Sequence, residues 1–103
     1  MTFEDFKNVL EQYPDLNFDT FSSFYIKKEF TPEAQVCCWI EEDKCVKFFK
    51  KIYILGNSIA VGYEGYEIIN SKERLNQVIR EFLKNFKQVE IVMKLEQIKK
   101  DFE

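Results

Sequence analysis

The stretch VCCWIEEDKC, from Val36 to Cys45, changes character halfway along. Its first half, residues 36–40, is apolar without interruption, which favours a central strand with both faces covered. Three consecutive acids and a lysine follow, as expected of a solvated turn. The pattern therefore predicts a strand over residues 34–42 that ends in an exposed turn.

This stretch also contains all three cysteines of the chain. Cys37 and Cys38 are adjacent, and neighbouring residues of a strand point to opposite faces, so the two thiols cannot converge on one metal ion. The spacing to Cys45 differs from the C-x-x-C of zinc knuckles and thioredoxin-like sites. We therefore interpret the cysteines as small core residues and expect no metal and no cofactor.

Before and after this strand in the sequence, segments rich in residues typical of β-strands recur. Residues 22–28 and 66–69 read as short strands, and residues 15–20 read as a polar connection. Residues 45–55 mix aromatic residues with lysines and favour one strand with a bulge near Lys50 and Lys51. Gly56 takes the first central position of a type II′ turn, after which residues 58–63 should return antiparallel.

Helical periodicity marks both ends of the chain. Thr2 followed by Asp5 resembles a capping box, and apolar residues at helical spacing then predict a helix over residues 3–13. A second helix should begin after Asn70 or Ser71. Its first apolar stripe consists of Leu75, Val78, Ile79, Phe82 and Phe86, and an offset stripe consists of Ile91, Leu95, Ile98 and Phe102.

A single helix from residue 72 to the end would be longer than a domain of this size is wide. We therefore expect either a break near residues 85–88 or a helix that projects toward a partner. Residues 89–95 also alternate like a strand, but Ile98 and Phe102 continue the helical period, which favours helix. The fold class predicted is α+β: one domain over residues 1–103, with an N-terminal helix, an antiparallel sheet of about four strands, and one or two C-terminal helices packed on one sheet face.

Composition narrows the function classes. The 103 residues carry 15 basic and 18 acidic side chains, whereas duplex-binding domains usually show a strong basic excess. Histidine is absent, which excludes Ser-His-Asp and Cys-His catalytic pairs. The chain has no apolar run of about 18 residues that could span a bilayer, and its N-terminus lacks signal-peptide features. We therefore expect a cytoplasmic, non-enzymatic protein without a membrane partner.

Aromatic residues make up 17% of the chain, and some of them should reach the surface as interface anchors. Tyr63, Glu64, Tyr66 and Glu67 surround a glycine bend and form the leading candidate for a partner-binding patch. The acids of the turn, Glu41, Glu42 and Asp43, extend the candidate set. An acidic-aromatic surface of this kind suits a larger, basic protein, such as a nucleic-acid-processing enzyme.

Two alternatives remain open at this point. Lysines and aromatic residues alternate in Lys47, Phe49, Lys50, Lys51 and Tyr53, a pattern that could stack single-stranded nucleic acid on a sheet face. A small enzyme that uses carboxylates or a thiol is the other alternative.

The leading hypothesis is a small acidic interaction module, an inhibitor of the kind that phages or mobile elements encode. A homodimer through Ile91, Leu95, Ile98 and Phe102 is also expected, because this stripe needs cover that a short chain does not supply.

Overall fold

The computed structural model describes residues 1–20 and 22–102, so Phe21 and Glu103 of the predicted domain lie outside the described residues. In chain order the elements are α1 (Phe3–Glu11), β1 (Leu16–Phe18), β2 (Ser23–Lys28), β3 (Thr31–Ile40), β4 (Cys45–Phe48), β5 (Lys51–Leu55), β6 (Ser58–Gly62), β7 (Glu67–Ile69) and α2 (Lys72–Asp101). The α+β class is confirmed, although the strands are more numerous than predicted.

The strands form two antiparallel sheets. The larger has the order β1-β2-β3-β4-β7, and β5 pairs with β6 in a separate hairpin. β3 is the central strand, as predicted, although it begins at Thr31 and contains Pro32 at an exposed position. The connection predicted over residues 15–20 contributes the edge strand β1, whose Leu16 lies opposite Ile26.

The prediction of one bulged strand over residues 45–55 is wrong. β4 ends at Phe48, and the chain resumes at Lys51 as part of the other sheet. Phe48 and Phe49 are both buried, although neighbouring residues point in opposite directions, so the chain is enclosed on both sides where it leaves the larger sheet. The exposed Lys50 follows, and β5 then pairs with β6 across a turn in which Gly56 has φ 60°.

Both helices contact the same face of the larger sheet. Phe24, Cys37 and Phe48 lie directly opposite one another across three strands, so they share that face. The ring of Phe6 in α1 lies 5.5 Å from the ring of Phe24, and the ring of Phe82 in α2 lies 5.6 Å from that of Phe48. The core therefore lies between this face and the helices, and we call the opposite side the open face.

The open face corrects one detail of the sequence interpretation. Residues 36–40 were expected to be covered on both sides, but Cys38 and Ile40 are only half-buried, while Cys37 and Trp39 are buried. Both described helices lie on the side of Cys37 and Trp39, so the side chains of Cys38 and Ile40 on the opposite side remain partly exposed.

Helix α2 is continuous for 30 residues, so the predicted break near residues 85–88 is absent and the helical reading of residues 89–95 is confirmed. Its length is about 45 Å at 1.5 Å per residue. The described molecule is correspondingly elongated, with a long dimension of 53 Å. Met93 is the last buried residue of the helix, and residues 94–102 are all exposed. A cleft of about 370 Å³ separates Glu96, Gln97 and Lys100 from Phe30, Ile54 and the turn between β5 and β6. The last turns of the helix therefore run beside the hairpin without packing on the core.

Candidate functional site

The candidate site is centred on Lys47 in β4. Val46 and Phe48 are fully buried toward the helices, so Lys47 between them points to the open face. Its direct neighbours across the strands are Cys38 on β3 and Ile68 on β7. We call the surface formed by Lys47, Phe49, Tyr63, Tyr66 and Ile68 the aromatic face.

The members of the aromatic face contact one another. The rings of Phe49 and Tyr63 meet edge to face with centroids 4.9 Å apart. The Lys47 ammonium lies 4.1 Å from the ring centroid of Tyr66 and 5.9 Å from that of Phe49. Tyr63, Tyr66 and Ile68 are 60%, 47% and 52% exposed. Phe49 is only 5% exposed, so it lies beneath the ring of Tyr63, and the part of the aromatic face that a partner can reach consists of Lys47, Tyr63, Tyr66 and Ile68. The Lys47 cation is held over the ring of Tyr66 in this surface.

Glu67 is fixed from two sides at the edge of the aromatic face. Arg74 in the first turn of α2 donates from Nε to Oε2 at 2.6 Å and from Nη2 to Oε1 at 2.7 Å. Lys50 donates to Oε1 at 3.0 Å. The hydrogen bonds from Arg74, followed by those of Lys50, lower the pKa of the Glu67 carboxyl to about 2. Its charge is thus compensated within the chain.

The remaining residues of both sequence candidates are interleaved in the same region. Glu64 accepts a 3.3 Å hydrogen bond from the Tyr53 hydroxyl. Gly65 has φ 68°, and the Lys51 side chain lies 3.2 Å from the position that a Cβ would take there. The structure therefore brings the acidic-aromatic candidate and the Lys-aromatic candidate together as one surface. One cation of the second candidate, Lys50, pairs with one acid of the first, Glu67.

The acids Glu41, Glu42 and Asp43 lie elsewhere. They form the turn between β3 and β4, and the length of β4, about 13 Å for four residues, separates this turn from Tyr66. Glu41 accepts a 2.7 Å hydrogen bond from Trp39 Nε1 and pairs with Lys44. The hydrogen bond from Lys44, followed by that from Trp39, lowers the pKa of the Glu41 carboxyl. This turn is therefore a separate acidic surface.

The three thiols are held in their protonated form. Burial raises the pKa of Cys37, Cys38 and Cys45, most strongly for Cys37. All three are free cysteines, with Cys37 on the helix-covered side of β3 and Cys38 on the open face. Nucleophilic or metal-binding cysteines act as thiolates, which this environment disfavours. Among residues 1–20 and 22–102, no cluster of three or more cysteine, aspartate or glutamate side chains is arranged to hold a metal ion.

Two residues of the site were missed from the sequence. Ile68 belongs to the aromatic face because β7 pairs with β4, and Arg74 reaches Glu67 because α2 begins beside the end of β7. Period-2 alternation places Ile68 opposite in direction to the buried Ile69. This alternation can be read from the sequence, but the identity of the strand that pairs with β7 cannot.

Within the described residues, no helix is both long enough and apolar enough to cross a membrane. Comparison with protein-family models, with curated proteins and with solved structures finds no match for this chain.

Proposed function

We propose that this protein is a small, non-enzymatic interaction module and that the aromatic face binds a protein partner. The observation that carries the proposal is the exposed pair Tyr63 and Tyr66, which flank Lys47 and the buried Phe49 on the side of the larger sheet that no helix of the described chain covers. Tyrosines that combine a large apolar ring with a polar hydroxyl are typical anchors of protein interfaces.

The internal charge pairs make this surface suitable for burial. A charge that is desolvated without a partner opposes binding strongly, whereas Glu67 carries its own partners, Arg74 and Lys50, into an interface. Lys47 is likewise held over Tyr66. From the sequence we expected Glu67 to contact the partner directly. We assign it a supporting role instead, because its pairs fix the position of β7, the strand that follows Tyr66.

The partner we propose is a protein with a basic surface, such as a nucleic-acid-processing enzyme, with this chain as its inhibitor. The net charge of −3 and the exposed Glu64 at the rim of the aromatic face favour a partner whose contacting surface is basic. A phage or mobile-element origin would fit such a role. The affinity of such an interface falls as salt screens the charges at its rim, whereas the contribution of its apolar centre is retained.

Affinity capture from the native host tests this proposal. The immobilised wild-type protein is compared with the Tyr63→Ala/Tyr66→Ala double variant and with Phe18→Ala, a matched control that removes an exposed ring from β1. We expect the wild type and the control to retain the same partner and the double variant to lose it. Equal retention by the double variant, with circular dichroism showing all three folded, would reject the aromatic face as the binding surface.

A second candidate function is single-stranded nucleic-acid binding by the same face. It is favoured by the position of Lys47 over the exposed ring of Tyr66 beside an open antiparallel sheet face, where bases stack in several RNA-binding domains. Fluorescence anisotropy with short single-stranded RNA and DNA at low salt tests it. Binding that Lys47→Ala abolishes would support this function, and no binding at tens of micromolar protein would exclude it.

A further inference from the structure

The last three turns of α2 carry an apolar stripe on the side that faces away from the domain. Ile91, Leu95, Ile98 and Phe102 recur at intervals of four and three residues and are 48% to 87% exposed. At about 100° per residue they lie on the opposite side of the helix from Met93, which packs on the body. Leu95, Ile98 and Phe102 therefore face away from the core, whereas Ile91 borders a shallow cleft beside Glu29 and Phe30.

The stripe is confined to the last three turns of the helix. Upstream, the same side of α2 carries Gln77, Arg80 and Lys84, which are all exposed. The change from polar to apolar residues thus occurs close to Met93, the last residue of α2 that is buried in the core. A helix that only had to remain soluble would keep charged residues there, as it does in its first half.

We propose that two copies of this chain pair through this stripe as an antiparallel two-helix contact. The intervals of four and three assign Ile91 and Ile98 to the d positions and Leu95 and Phe102 to the a positions of a heptad. In an antiparallel pair, Leu95 of one copy packs against Ile98 of the other, and Ile91 packs against Phe102. The sheet-containing parts of the two copies then lie at opposite ends of the paired helices and on opposite sides of them.

The charges beside the stripe select this direction. Lys94 and Asp101 occupy consecutive g positions, so antiparallel pairing brings Lys94 of each copy next to Asp101 of the other, forming two opposite-charge pairs. Parallel pairing would instead place Lys94 next to Lys99 of the other copy, forming two like-charge pairs. Lys94 lies 3.8 Å from Glu29 within its own chain, but both side chains are more than half exposed, so that pair does not hold it firmly.

The apolar area matches a reversible dimer. The four side chains of the stripe, Ile91, Leu95, Ile98 and Phe102, are 49%, 61%, 48% and 87% exposed. Together they present roughly 500 Å² per copy, taking about 200 Å² for a fully exposed large apolar side chain. Two copies would bury about 1,000 Å², the lower end of specific interfaces. The pair should accordingly dissociate on dilution.

Analytical ultracentrifugation over a range of concentrations tests the pairing. We expect the average mass of the wild type to rise from 12.4 kDa toward twice that value. Leu95→Ser should remain at the lower mass, whereas Phe18→Ser, which removes an exposed ring from β1, should behave as the wild type. A wild type that stays at 12.4 kDa at millimolar concentration, leaving the stripe to a different protein, would overturn the proposal.

Charge exchange tests the direction. Lys94→Asp alone and Asp101→Lys alone each turn two attractive pairs into repulsive ones, and each should raise the dimer dissociation constant roughly threefold to thirtyfold at low salt. The combined variant restores opposite charges and should return close to the wild-type value. A combined variant that is no better than either single variant would overturn the antiparallel arrangement. All of these positions are exposed, so the fold should not change.

Discussion

At the scale of single residues, Glu67 connects the sheet to α2. It lies on β7 opposite Phe48, and its carboxylate joins Arg74 of the helix to Lys50 of the strand connection. Three segments that are distant in sequence thus meet at one carboxylate. Two hydrogen bonds from a planar guanidinium also restrict where β7 can lie, and β7 leads directly from Tyr66.

We predict that Glu67→Gln lowers the free energy of unfolding by about 1–2 kcal/mol at pH 7, because charge-assisted hydrogen bonds are replaced by weaker neutral ones. The folded-state pKa of about 2 lies below the ordinary value of 4.5. The stabilisation is therefore complete above about pH 5 and declines as the pH falls toward 2. Urea denaturation of both proteins from pH 7 to pH 3 measures the difference.

The matched control for this experiment is Glu64→Gln. Glu64 accepts a 3.3 Å hydrogen bond from Tyr53 at an exposed position, so its removal should change stability little at any pH. The role assigned to Glu67 would be contradicted by a difference between Glu67→Gln and the wild type that is constant from pH 7 to pH 3.

At the scale of elements, caps and turns that depend on residues close in sequence were predicted correctly, whereas strand pairings that depend on distant residues were not. The capping box is present, since Asp5 N–H donates to Thr2 Oγ1 and Thr2 N–H donates to Asp5 Oδ2. Ser71 caps α2, and the Gly56 turn joins β5 to β6. Each of these depends on residues within a few positions of one another, so sequence spacing suffices to predict them.

The division between β4 and β5 depends on partners that are distant in the sequence. Whether residues 45–55 form one strand or two is decided by the pairing of β4 with β3 and β7, and of β5 with β6. The candidate site shows the same limit. Tyr63, Tyr66 and Lys47 were identified as candidates, but only the register shows that they share a surface and that Arg74 neutralises Glu67.

The two halves of α2 should contribute very differently to stability. Phe86 is 1% exposed and Met93 8%, whereas residues 94–102 are all exposed. We predict that a chain ending at residue 94 keeps the wild-type free energy of unfolding to within about 1 kcal/mol in dilute solution, since the residues removed bury little surface. Urea denaturation followed by circular dichroism measures this.

A chain ending at residue 85 serves as the comparison, because it also loses Phe86 and Met93. Removing one large buried side chain commonly costs about 3–5 kcal/mol, so this shorter chain should be largely unfolded. The proposed division of the helix would be refuted if the chain ending at residue 94 were destabilised as severely as the shorter one.

At the scale of the whole molecule, one core connects both helices to the larger sheet. The only tryptophan, Trp39, lies in this core at the α1 end, with its ring 5.7 Å from Phe6 and 6.0 Å from Phe3. Phe82 lies at the α2 end and contacts Phe48 and Phe86. Fluorescence of Trp39 therefore reports the packing of α1, while the helical circular dichroism signal is dominated by α2.

If the core is one cooperative unit, the two signals must change together. We predict coincident urea transitions by Trp39 fluorescence and by circular dichroism at 222 nm, the helical band, as for other two-state domains. Phe82→Ala should shift both transitions equally, with a loss of about 3–5 kcal/mol, although its ring contacts Phe48 and Phe86 and has no ring contact with Trp39. A shift in the dichroism transition that leaves the fluorescence transition in place would show that α1 and α2 pack on the sheet as separate units.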